Sequence, residues 1–198
     1  MVITAHYDHL GIQNGYIFNG ADDNASGVSA LLTIAKYFKN KQLNHNLILA
    51  AFDGQEAGSL GAENFLDTYK NKSNIALNVN MEMISHSDFD PEIFICGTYH
   101  YPNLKKQMSK IVTENISVLF GHDDPYNREQ VDWTFLGDHR VFHRQNIPFV
   151  YFGVEDHKDY HKPSDDFENI NQAFYIEVVK VIIQTIENLD QFLFEENK

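Results

Sequence analysis

The chain has 198 residues, 43% of them hydrophobic and 22% charged, which is enough apolar material for one globular domain spanning 1–198. Fifteen Lys and Arg stand against 28 Asp and Glu, and the resulting net charge of −13 argues against a nucleic-acid partner, because phosphate recognition needs a clustered basic surface. The single cysteine, Cys96, excludes an intrachain disulfide and a thiolate-held structural zinc, and no run reaches the roughly 18 apolar residues of a membrane span.

In chain order, the first predicted element is a strand from Val2 to Tyr7. It follows Met1 directly, so this chain shows no signal peptide, and such a start fits a piece of a longer secreted or periplasmic parent. Val28, Leu31, Leu32 and Ala35 then place one apolar stripe on a helix ending near Asn40. A strand at Asn46 to Phe52 leads to a helix from Gly61 to Tyr69, followed by strands at Ile75 to Met83 and Glu92 to Cys96. Pro102 opens a helix to about Thr113, since proline suits the first helical turn. After a strand at Pro148 to Phe152, Phe174, Val178, Val181, Ile182, Thr185, Ile186 and Leu189 mark a last helix through about Phe194, one face of which packs on a sheet. Strands alternating with helices make the fold α/β.

The candidate chemistry lies where these strands end. In His6-Tyr7-Asp8-His9, strand alternation puts His6 and Asp8 on one side, so one can bind a metal while the other supports it. Asp22 and Asp23 lie in the loop before the first helix, where an acid is usually only a helix cap, but beside His6 both become candidate ligands. Glu56 and Glu82 each follow a strand, at the end where ligands gather in open α/β sheets. His161 sits in the loop after the Pro148 to Phe152 run. His9, His45, His86, His100 and His143 are read as surface or hydrogen-bonding residues, since ten histidines cannot all be ligands.

In these blocks, with Gly137-Asp138-His139, Ile147-Pro148 and Asp159 to Asp166, the chain resembles the co-catalytic zinc aminopeptidases, whose relatives include the glutaminyl cyclases. The resemblance implies a three-layer α/β/α domain with a mixed, largely parallel sheet, lacking a helix and further strands that normally precede the first block. It implies two zinc ions and, as substrate, a peptide with a free N-terminus. Asp23 would bridge the ions, His6 and Glu82 would complete one shell, and Glu56 and His161 the other. Asp8 and Asp138 would support these ligands, and Tyr160 could donate to an oxyanion. Glu82 stands where many members carry Asp.

One position departs from that pattern in a way that bears on turnover. The residue before the ligand Glu is a general base in the family, and here it is Gln55, whose neutral amide is a very poor proton acceptor. The sequence therefore supports a slow aminopeptidase, a silent peptide-binding homologue, or, ranked last, a glutaminyl-cyclase-like acyltransferase.

Overall fold

Both faces of the first strand are covered, and this sets it inside the sheet. The computed structural model describes residues 1–88 and 90–196. Its strands are β1 (Val2–His6), β2 (Gly11–Gln13), β3 (Tyr16–Phe18), β4 (Ile48–Phe52), β5 (Asn78–Met81), β6 (Glu92–Cys96), β7 (Ser117–Phe120) and β8 (Phe149–Gly153). The helices are α1 (Gly27–Phe38), α2 (Leu60–Thr68), α3 (Pro102–Met108), α4 (His139–Arg144) and α5 (Gln172–Glu196). The main sheet runs β4-β1-β5-β8-β6-β7, with β6 antiparallel to β8 and every other pairing parallel.

Alternation along the strands divides the core in two. Ile3 and Ala5 of β1, Ile93 and Ile95 of β6, and Val150 and Phe152 of β8 turn toward α1, α3 and α5, meeting Ile34, Met108 and Ile182. Their neighbours face the other way. Val2 and Phe52 pack on Ala62 and Leu66 of α2 and Phe142 of α4, while Phe94, Phe149 and Tyr151 surround Trp133. The result is the expected mixed, mostly parallel sheet with helices on both faces. No helix among the described residues is long and apolar enough to cross a membrane.

A polar rung crosses the sheet below the strand ends. Asn78 Nδ2 donates to Thr4 Oγ1 at 3.0 Å, and Thr4 Oγ1 donates to Asn80 Oδ1 at 2.6 Å, all three residues being buried. Buried polar groups must find partners, so this rung favours one alignment of β1 against β5, in which Thr4 lies opposite Asn80.

Several expectations need correction. The helix from Pro102 ends at Met108, well short of Thr113: the chain turns at Ser109-Lys110, and beyond it Val112 is 81% exposed. Sequence periodicity also missed the hairpin of β2 and β3, turned at Asn14-Gly15, as well as the edge strand β7 and the short helix α4. These pieces have only three to six residues each, too few for periodicity to register.

Candidate metal centre

β1, β4, β5 and β8 run parallel, so their carboxyl ends open on one side, and the loops that follow carry the candidate residues. His6 is the last residue of β1, Glu82 comes directly after β5, Gln55 and Glu56 follow β4, and Tyr160 and His161 follow β8. Asp23 arrives from an irregular turn, Ala21–Ser26, ahead of α1.

That turn is held from two directions. The backbone N–H groups of Asp22 and Asp23 donate to the Asp165 carboxylate at 2.8 and 3.0 Å. Asn24 Nδ2 donates to Met81 O at 2.9 Å, tying the turn to the end of β5. Gly20, at φ +65°, permits the tight approach, since a Cβ there would lie 2.2 Å from Asp23 O and 2.7 Å from the His9 ring.

The Asp23 carboxylate consequently faces two groups at once. Its Oδ1 is 3.2 Å from His6 Nε2, which in turn lies 3.8 Å from Glu82 Oε1. Its Oδ2 is 3.2 Å from His161 Nε2, which lies 3.3 Å from Glu56 Oε1. All five sequence-derived ligand candidates thus lie around the Asp23 carboxylate, His6 and Glu82 on one side and His161 and Glu56 on the other. His6 Nε2, Asp23 Oδ1, Glu56 Oε1 and Glu82 Oε2 are buried with no hydrogen-bond partner among the described residues, an arrangement that is costly unless a cation fills the space between them.

Electrostatics at the centre follow from this crowding. Burial pulls the His6 imidazole down, but Asp23, Asp8 and Glu82 outweigh it and push it up to about 11. Burial raises the Asp23 carboxyl, yet the His161 and His6 rings, each 3.2 Å from one of its oxygens, override that and hold it well below the usual range. Burial pushes Glu82 up to about 8 against the attraction of His6.

Around this set the sequence reading was less complete. The Asp8 carboxylate accepts the backbone N–H groups of Gln55 and Glu56 at 3.0 and 3.1 Å and stands 3.4 Å from His6 Nδ1, so it clamps the ligand loop as well as the ring. His9, read as a surface or hydrogen-bonding residue, is a nearly buried neighbour of the centre, with Nδ1 3.2 Å from Glu56 Oε1 and 3.6 Å from Asp23 Oδ2. Only its place in the His6 block signalled this. Asp22, weighed as a ligand beside Asp23, points the other way, accepting Ser85 N–H and O–H at 2.7 Å and facing His157 Nε2 at 3.0 Å.

Gln55 Nε2 donates to Glu82 Oε1 and Leu136 O, both at 3.3 Å. Tyr160 stacks on His161 with ring centroids 4.0 Å apart, and burial together with Asp23 raises its phenol, keeping the O–H available as a donor. Asp138 is buried without a hydrogen bond to any candidate ligand among the described residues, and burial pushes it up to about 6 against the pull of Ser59 and His6. Its neighbour His139 is fully buried with Nε2 2.9 Å from Trp133 O; burial pulls it down to about 3, so it is neutral and donates there. His45, His86, His100 and His143 pair with Asp190, Asp88, Thr134 and Tyr101, in line with their hydrogen-bonding assignment.

A cavity of about 310 Å3 opens beside the centre, bordered by Gln55, Glu56, Glu82, Tyr160 and His161. A larger groove of about 680 Å3, near Phe167, Ile170 and Tyr175, touches none of the ligand candidates.

The chain has relatives among known proteins. A probable zinc metalloprotease of Pyrenophora tritici-repentis is 42% identical over 172 residues, 71% of this chain and 38% of that protein. Aminopeptidase YwaD of Bacillus subtilis is 25% identical over 179 residues, 86% of this chain and 36% of that one. The solved structure of BSAP, a zinc aminopeptidase from Bacillus subtilis, superposes with a TM-score of 0.73 at 24% identity, covering 93% of this chain and 44% of BSAP. The chain therefore spans less than half the length of these relatives. The family model for peptidase family M28 matches residues 1–186, and the protein belongs to that family.

Proposed function

We propose that this chain forms the catalytic core of a zinc-dependent aminopeptidase that removes residues from the free N-termini of peptides, slowly because Gln55 occupies the base position. The observation that carries the reading is the two-sided Asp23 carboxylate, with His6 and Glu82 on one side and His161 and Glu56 on the other. These residues would hold two zinc ions with Asp23 shared between them, a donor set of imidazoles and carboxylates that suits zinc. Bound there, zinc supplies Lewis-acid polarisation of a peptide carbonyl and lowers the pKa of water.

The remaining work falls to the chain's own groups. Asp8 sets the ligand loop through Gln55 N–H and Glu56 N–H, and so fixes where Gln55 stands relative to Glu82. Gln55 can orient a water by hydrogen bonding but cannot take its proton at neutral pH, the step that a carboxylate at this position would perform. The Tyr160 hydroxyl, protonated and at the cavity wall, donates to the carbonyl oxygen as charge develops on it. Asp138 supports the site by its buried charge.

The test has two parts. Zinc titration should reach two ions per chain, and Gln55→Glu should raise hydrolysis of an aminoacyl-p-nitroanilide by roughly 10²- to 10⁴-fold, the usual contribution of a general base. Equal turnover by the zinc-loaded wild type and Gln55→Glu would remove the assigned role of Gln55, and failure to bind zinc would remove the whole reading. A second reading, a silent homologue that binds peptides, is favoured by the Gln55 amide bonding to both Glu82 and Leu136, which leaves only a neutral oxygen to accept a proton. Inactivity of Gln55→Glu with two zinc ions bound would select it.

A further inference from the structure

The cavity beside the metal centre is lined by four carboxylate residues, Asp23, Glu56, Glu82 and Asp156, and by one cation, Arg140. That cation is unpaired. Among the described residues no carboxylate lies within 4.0 Å of its guanidinium, and its Nε is buried without a hydrogen-bond partner. It acts on Asp138 only at longer range. In a chain with nearly twice as many acids as bases, an arginine left unmatched at the wall of an acidic cavity is a costly arrangement.

Its place in the fold gives that cost a use. Arg140 lies in the first turn of α4, just after Leu136, whose carbonyl accepts the Gln55 amide at 3.3 Å. The guanidinium lies near Gly58, two residues beyond Glu56: a Cβ on Gly58 would be 3.6 Å from an Arg140 terminal nitrogen. It thus lies beside the same loop that carries Gln55 and Glu56. The cavity's volume, about 310 Å3, is at the small end of the roughly 300–1,000 Å3 typical of small-ligand sites, and suits a short peptide.

We propose that Arg140 receives a carboxylate of the bound peptide close to the scissile bond, so that the site selects peptides with a negative charge there. A planar guanidinium with free terminal N–H groups at the cavity wall offers the two-pronged contact that a carboxylate accepts. Two sources carry that chemistry, the C-terminal carboxylate of a dipeptide and the side chain of an Asp or Glu. The inference rests on the peptidase reading of the site.

Binding of uncleavable ligands to the zinc-loaded chain, followed by calorimetry, tests it. One pair is Leu-ψ(CH2NH)-Leu as the free acid and as its amide; the other is Leu-ψ(CH2NH)-Asp amide and Leu-ψ(CH2NH)-Asn amide. In the wild type the charged member of at least one pair should bind roughly 10- to 100-fold more tightly than its neutral partner, the range of a charge-assisted hydrogen bond. The pair that discriminates identifies the source of the carboxylate. Arg140→Ala should reduce the gap to under about threefold, and Arg140→Lys, a point charge without the fork, should keep only part of it. Equal binding within both pairs in the wild type, or a gap that survives Arg140→Ala, overturns the proposal. Binding of none of the four ligands would overturn the peptidase reading and this proposal together, a result distinct from four ligands bound alike. The wild-type comparison needs no variant, so a misfolded substitution cannot mask the answer.

Discussion

Two clusters of buried histidine and carboxylate lie on either side of the adjacent pair Asp22 and Asp23, and they differ in how their atoms are satisfied. On the Asp23 side, His6, Glu56 and Glu82 converge with buried nitrogen and oxygen atoms that lack hydrogen-bond partners, and half-buried His161 completes the set. On the Asp22 side, His157 is held at both ring nitrogens, by Asp22 Oδ2 at 3.0 Å and by the Asp159 N–H at 3.2 Å, and His86 bonds Asp88 at 3.0 Å. The His86 and His157 rings stack nearly parallel, 13° apart with centroids 4.0 Å apart. An imidazole directs its lone pair in the ring plane, so two stacked rings cannot both aim at one ion. By proximity alone His86, His157 and Asp159 would also count as a ligand set. One buried atom there, Asp159 Oδ2, also lacks a partner, so it is the direction of the lone pairs and the number of unmet atoms that separate a site from a strut.

The contrast can be broken most severely at Asp22. It is fully buried and accepts from Ser85 and His157, so Asp22→Ala strands those donors and should cost about 3–5 kcal/mol in urea unfolding of the metal-free chain. A loss below about 1 kcal/mol would show that the second cluster is not a strut. Asp23→Ala should do the reverse. Zinc affinity, read by competition with a chromogenic chelator, should fall at least about 100-fold, while metal-free stability changes less, because losing the contacts to His6 and His161 is offset by relief of the repulsion between Asp23 and Glu82. A stability loss as large as that of Asp22→Ala would erase the distinction between the two clusters.

The smallest effect concerns pH. Burial lowers the His157 pKa, but hydrogen bonding and charge from Asp22 outweigh it, so the folded value lies above the ordinary 6.5. A raised value means that the stabilisation is complete below pH 6.5 and is lost as pH rises through the folded value. The difference in melting temperature between the wild type and His157→Gln, measured with chelator from pH 6 to 9, should therefore shrink as pH rises. A constant difference would mean that the ring is not charge-coupled to Asp22.

Much of this was legible in the sequence where a residue's role depends on its neighbours along the chain. β6 was read at its observed bounds, and α5, the strand ending in His6 and the strand just before Glu82 were recovered because their apolar periodicity is long or their ends are marked by polar residues. What escaped depends on contacts far apart in sequence. That Asp22 turns from Asp23 is decided by Ser85 and His157, 63 and 135 residues away. That His9 joins the centre depends on the fold of the Gly20 turn. Arg140 carries no signal in its local sequence; its isolation becomes visible only when the cavity wall is assembled.

The Thr4–Asn78–Asn80 rung bears on how the metal centre can vary. Thr4 lies opposite Asn80, and His6 and Glu82 are each two residues further along their chains, so the rung acts as a datum from which both ligands are measured. Lengthening either side chain at the centre shifts one ligand by a fraction of a residue, and the loops can absorb it. Slipping the datum by one residue would instead turn His6 and Glu82 onto opposite faces. Substitutions at the ligands, such as Glu82 in place of the commoner Asp, are thus open to trial and error, while the alignment beneath them is the part of the design that cannot drift.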